Sequence, residues 1–289
     1  MKKSIEKIFP RPQSPGMVGD GFRVYNYFPS GEIIQKRVSP FLLLDFNAEY
    51  VFPPSERVRG VDVHPHKGFE TVTIAYKGSV AHHDSTGNSG IIRPGDVQWM
   101  TAGAGILHKE YHEQEFSKTG GPFEMIQLWV NLPKKNKLTK PKYQAITSSQ
   151  MGKVKLPNEG GVVNVIAGDF NGTTGPATTF SPINVFDIHL KKGGRLSTNI
   201  PETHNALLLV INGNIDVNSE EAPLHSFVLF KNQGEEIEII AKEESVLLLL
   251  SGEPIEEPIA QYGPFVMNTQ QEILEAVQEF QAGKFGELE

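Results

Sequence analysis

The chain has 289 residues, with 27 basic and 34 acidic side chains for a net charge of −7, a balance that argues against general binding to a nucleic-acid backbone. It contains no cysteine, so disulfides, thiolate metal sites and cysteine nucleophiles are excluded, and any metal must sit on nitrogen and oxygen ligands. Apolar runs such as those at 207–211 and 245–250 fall far short of the roughly 20 residues that span a bilayer. The start, MKKSIEKIFPRP, has the lysines of a signal peptide but no apolar stretch behind them. A soluble cytoplasmic protein is expected, with no membrane or direct nucleic-acid contact and length enough for two domains.

Residues 1–60 alternate short apolar segments with proline and glycine, and none keeps a helical period over three turns. From Gly60 the alternation tightens through VDVHPH, ETVTIAYKG, SVAHHDSTGN, GIIRPGDVQWM and FEMIQLWVNLP, with turn signals at Lys77-Gly78, Gly87-Asn88 and Pro94-Gly95-Asp96. Many short strands at this spacing predict an all-β jelly roll or barrel. The basic stretch KKNKLTKPK at 134–142 reads as a solvated linker. Strand signals then resume, and PETHNALLLVINGNIDV lies opposite HKGFETVTIAYKGSVAH at an offset of 135. The chain thus reads as two tandem barrels, 1–135 and 136–267, followed by a terminal helix over 268–289. That helix has a capping-box pattern at Thr269 and Glu272, with Ile273, Val277 and Phe280 on one stripe.

Chemistry concentrates between Val61 and His112, which hold six of the nine histidines. His64 and His66 form one i, i+2 pair, and His108 and Glu110 form another. Side chains two apart on a strand share a face, so two such strands facing each other would converge three imidazoles and a carboxylate on a divalent first-row ion. Gly103 and Gly105 either bend the chain to aim His108 or merely end the strand after Trp99. His82 and His83 are adjacent, so only one of them can face inward, while His112 shares the parity of His108 and Glu110. At the same offset of 135, His64 and His66 correspond to Asn199 and Pro201, so the second barrel keeps the scaffold without the ligand pair. His189, His204 and His225 stand singly and read as surface or packing residues.

The runs HPHKGFETVTIAYKG, DSTGNSGIIRPGDVQWMTAGAGILHKE and GPFVMNTQQEILEAVQEFQAGKFG resemble the pirin family of the cupin superfamily over nearly the whole chain. The resemblance implies two cupin barrels with one metal in the amino-terminal barrel, held by His64, His66, His108 and Glu110. Iron(II) is the expected ion, with zinc, manganese, nickel and copper as alternatives. Glu70 occupies the place where many cupins carry their carboxylate ligand, and here it is expected to hold an imidazole from behind. The family is described as having a quercetin 2,3-dioxygenase activity, and its animal member as an iron-containing cofactor of transcription. Two functions follow. One is a dioxygenase opening a flavonol or enediol with O2, with Glu110 as the base. The other is a metal-dependent, redox-responsive protein that binds a protein partner, for which the same ligands would serve. A monomer is expected.

Overall fold

The computed structural model describes residues 1–29 and 33–289. Its elements are almost all antiparallel strands, in two compact units, each with a seven-stranded and a four-stranded sheet. Alternating apolar residues are the cause: one strand face is buried at every second position. No helix among the described residues is long and apolar enough to cross a membrane.

The units are not consecutive in sequence. One comprises Gln13–Glu32, Phe41–Ser148 and Ile255–Glu289; the other comprises Met1–Pro12, Ile33–Pro40 and Ser149–Pro254. The expected division at 135/136 therefore differs from these units, as three elements show. The strand Ile5–Phe9 pairs with Phe227–Phe230, so the amino terminus completes the later barrel. The strand Lys142–Ile146 pairs with Val97–Thr101, which keeps the basic stretch inside the earlier barrel. The carboxyl-terminal helix belongs to that earlier barrel as well. Strand pairing in the first two cases and apolar packing in the third decide membership, and sequence position reports neither.

The basic stretch is not wholly solvated. Lys137 is 2% exposed, and its ammonium donates to Asn131 Oδ1, the Gly68 carbonyl and the Val266 carbonyl at 2.8, 2.8 and 2.9 Å. Three acceptors match its three donors, and burial pushes its pKa down to about 7.

In the earlier barrel the seven-stranded sheet runs in the order Lys142–Ile146, Val97–Thr101, Phe69–Lys77, Gly121–Asn131, Phe41–Phe52, Phe22–Phe28, Gly16–Val18. The four-stranded sheet runs Gly60–His66, Ile106–His112, Val80–Asp84, Ser89–Ile92. The helix Gln270–Gln281 starts with the expected capping box: Thr269 accepts from the Glu272 amide, and the Glu272 carboxylate accepts from the Thr269 amide. Its inward stripe is Ile273 and Ala276, with Val277 half-buried, whereas Phe280 is 39% exposed. The helix packs with Phe265, Met267, Phe285 and Leu107. Leu107 lies on the strand that carries His108, so the helix backs that strand from outside.

Candidate metal centre

His64 and His66 project from the strand Gly60–His66, and His108 projects from its neighbour, with His108 directly opposite His64. The ring centroids lie 4.3 to 4.8 Å apart, and one nitrogen from each ring falls within 4.8 Å of the others. Among the described residues these three form the only such grouping. The strand pairing slips between His108 and Glu110: one residue there, Lys109, faces two on the partner, Asp62 and Val63, so Glu110 pairs with Val61 rather than Asp62. This bulge turns Asp62 outward, where it is exposed, and brings Val61 into the cavity beside Glu110. It also presents the Asp62 carbonyl to His64 Nδ1 at 2.8 Å. A carbonyl can only accept, so Nδ1 carries the proton and Nε2 keeps its lone pair for a metal.

The other two imidazoles are buried. His66 is 4% exposed and packs edge-on against Phe69 and Trp129. His108 is fully buried. Among the described residues His66 Nδ1 and both nitrogens of His108 have no hydrogen-bond partner. Buried polar atoms are rarely left so, and a cation would satisfy one nitrogen of each ring by taking its lone pair. Desolvation holds both rings well below the usual histidine pKa, so they are neutral at pH 7, the state that binds a metal. The donor set fits a divalent transition ion.

Glu110 lines the same cavity, of about 210 Å³, with His64, His66, Gln127 and Trp129. Its carboxylate is not part of the three-nitrogen grouping. It faces Thr73, whose Oγ1 is 3.0 Å from Glu110 Oε1 and 2.8 Å from Gln127 Oε1. Burial pushes the Glu110 carboxyl up to about 7, against the Thr73 hydrogen bond that lowers it. A bound cation would pull it down again.

Glu70 does not hold an imidazole. It is 1% exposed and accepts from Thr101 Oγ1 at 2.7 Å, with its pKa raised to about 7 by burial. The reason is geometric: Glu70 lies across from Thr101 on the seven-stranded sheet, whereas the ligand strands belong to the other sheet. Of the adjacent pair, His82 faces inward, fully buried and stacked on Tyr143. His83 faces outward, with Nδ1 2.8 Å from the Tyr111 hydroxyl. His112 is fully buried among Phe22, Phe52, Phe116 and Phe123, and its Nε2 donates to the Gly21 carbonyl at 2.7 Å, so it is committed to the aromatic core. Gly103 has φ +51°, and a Cβ there would lie 2.1 Å from the Thr139 carbonyl oxygen. The turn before His108 therefore requires glycine on steric grounds.

Sequence reasoning missed the opposite wall: Asp45, Asn47 and Gln127 also line the cavity. A signal existed. In FLLLDFNAEY, Asp45 and Asn47 share one parity, while the other parity, Leu42, Leu44 and Phe46, is apolar. Polar residues on one face of such a strand mark a lined cavity rather than a packed core.

Fold and site together define a protein of two cupin-type barrels with a histidine cluster in one of them. The family described as Pirin matches residues 21–130, and the Pirin C-terminal cupin domain matches 185–286; the chain belongs to the pirin family. It is 47% identical, over 93% of each chain, to a Pseudomonas aeruginosa protein named "Putative quercetin 2,3-dioxygenase". It is 37% identical to human pirin over 99% of this chain and 94% of that one. A crystal structure of quercetin 2,3-dioxygenase from Acinetobacter baumannii, 46% identical, superposes with a TM-score of 0.95 over 100% of both chains.

Proposed function

We propose that the protein is a metal-dependent dioxygenase that opens a flavonol or related enediol, such as quercetin, with O2. The observation that carries the reading is the junction of the three-histidine cluster with a buried carboxyl, Glu110, on one cavity. His64, His66 and His108 would hold the ion, with Glu110, beside Thr73, as the fourth ligand. A bound divalent transition metal, iron(II) by preference, supplies Lewis acidity to the substrate oxygen and an electron path to O2. Glu110 accepts the substrate hydroxyl proton, the role of a carboxylate held beside the substrate oxygen. Thr73 steadies the carboxylate as it changes charge, while Phe22, Val24, Met125 and Trp129 keep water from the reacting ring.

Glu110→Gln tests the role, because it keeps size and one oxygen while removing basicity. The metal-loaded variant should retain much of its metal and lose flavonol cleavage by about 10²–10⁴-fold, as when a general base is removed. Unchanged turnover at full occupancy would overturn the base role. No turnover of any flavonol or enediol by the metal-loaded native chain would replace the enzyme reading with that of a redox-responsive binding protein.

A further inference from the structure

The cavity has a second polar feature that the chemistry above does not use. Asn47 is 1% exposed and lines the cavity. Neither its Oδ1 nor its Nδ2 has a hydrogen-bond partner among the described residues. Its cross-strand neighbour is Met125, which pairs in turn with Ala75, so its own row of the sheet offers no donor or acceptor side chain. The neighbouring row behaves differently. Asn26 donates to Asp45 at 2.7 Å, and Thr73 meets Gln127 and Glu110. An amide kept in an apolar row with both atoms unpaired lowers stability unless something supplied from outside pairs with it.

Its place along the strand sets the reach. Leu43 lies opposite Trp129, whose ring packs on His66, and Asn47 is four residues further along the same face, about 13 Å at the strand rise. One ring joined to a chelating ring spans such a distance. A cavity of about 210 Å³ encloses less than the roughly 300–1,000 Å³ sites of drug-sized ligands, so a three-ring flavonol seats only in part.

We propose that Asn47 is a specificity-determining residue, pairing with a hydroxyl at the end of the substrate remote from its metal-facing oxygens, so that the site prefers hydroxylated pendant rings. A hydroxyl both donates and accepts, which is what the two atoms of the amide require. The proposal rests on the dioxygenase reading, and the fused ring of the flavonol then lies at the cavity mouth.

The test is calorimetric titration of the metal-loaded full chain, without O2, using quercetin, which has two hydroxyls on its pendant ring, and galangin, the same flavonol without them. Asn47→Leu keeps the volume and removes both polar atoms. It should weaken quercetin by about tenfold or more, leave galangin unchanged, and leave the melting temperature equal or higher. Asn47→Ser, a smaller polar replacement, gives the same contrast in reduced form should the leucine variant fold poorly. An equal loss for both flavonols, or none for either, overturns the role of Asn47 while the dioxygenase reading stands. If the native chain binds neither flavonol, the dioxygenase reading falls and this proposal falls with it.

Discussion

The two units use the same pair of sheets to opposite ends. In the earlier barrel the strands Gly60–His66 and Ile106–His112 point His64, His66, His108 and Glu110 into the interior. In the later barrel the strands that pair in the corresponding sheet, Arg195–Asn199 and Glu236–Ala241, contribute Leu196, Ile237, Ile239 and Ala241 to a continuous apolar core, flanked by Thr198 and Ile200. Asn199 and Pro201, the offset partners of the two histidines, are both exposed; the inward positions are their neighbours Thr198 and Ile200. The difference shows what a site costs. The later barrel fills its core with apolar side chains that gain by burial, whereas the other keeps imidazole nitrogens and an amide with no partner among the described residues.

The largest expected effect comes from making one barrel resemble the other. His108→Leu should abolish metal binding, a loss of more than about 100-fold by comparison with the 10–100-fold typical of outer-sphere changes. It should also raise the stability of the metal-free chain by about 1–3 kcal/mol, because an unpaired buried imidazole is replaced by an apolar side chain. Elemental analysis of the native chain should find one metal per chain, and melting of metal-free His108→Leu checks the second half. A variant that keeps its metal would show that the histidine cluster is not the site.

A smaller contrast concerns two buried lysines, Lys137 in the earlier barrel and Lys3 in the later one. Lys137 ties the Gly68 and Val266 carbonyls just beyond His66, and Lys3 donates to the Pro201 and Gly234 carbonyls in the apolar unit at 3.1 and 3.2 Å. Replacing either with methionine strands its acceptors and should cost about 1–3 kcal/mol. Only Lys137→Met should also weaken metal binding, by about tenfold, since it alone supports a ligand strand. Equal metal affinity in the two variants would confine Lys137 to a structural role.

The smallest effect is on pH. His189 bonds Asp187 Oδ2 at 2.8 Å, and that hydrogen bond raises its pKa above the ordinary 6.5. The stabilisation is therefore complete below pH 6.5 and lost as the pH rises through the higher folded value. With the ring 43% exposed, solvent screening limits the gain to well under about 1 kcal/mol. His189→Ala should lower stability more at pH 5.5 than at pH 9, by denaturant melts, and leave metal affinity unchanged.

Period-two alternation, glycine turns and the spacing of His64 with His66 and His108 with Glu110 are local properties. They revealed the strands, the two-barrel plan and the candidate ligands, because a strand obliges residues two apart to share a face. The capping box at Thr269 was legible for the same reason. Tertiary structure decided what depends on which strand lies beside which. It gave the first strand to the later barrel and the terminal helix to the earlier one. It placed Glu70 against Thr101, His112 among phenylalanines and Lys137 among carbonyls. It also introduced the bulge that turns Asp62 away from the site and set Asn47 unpaired in the opposite wall. Each of these is a partner choice across tens to hundreds of residues, and no local periodicity encodes a partner.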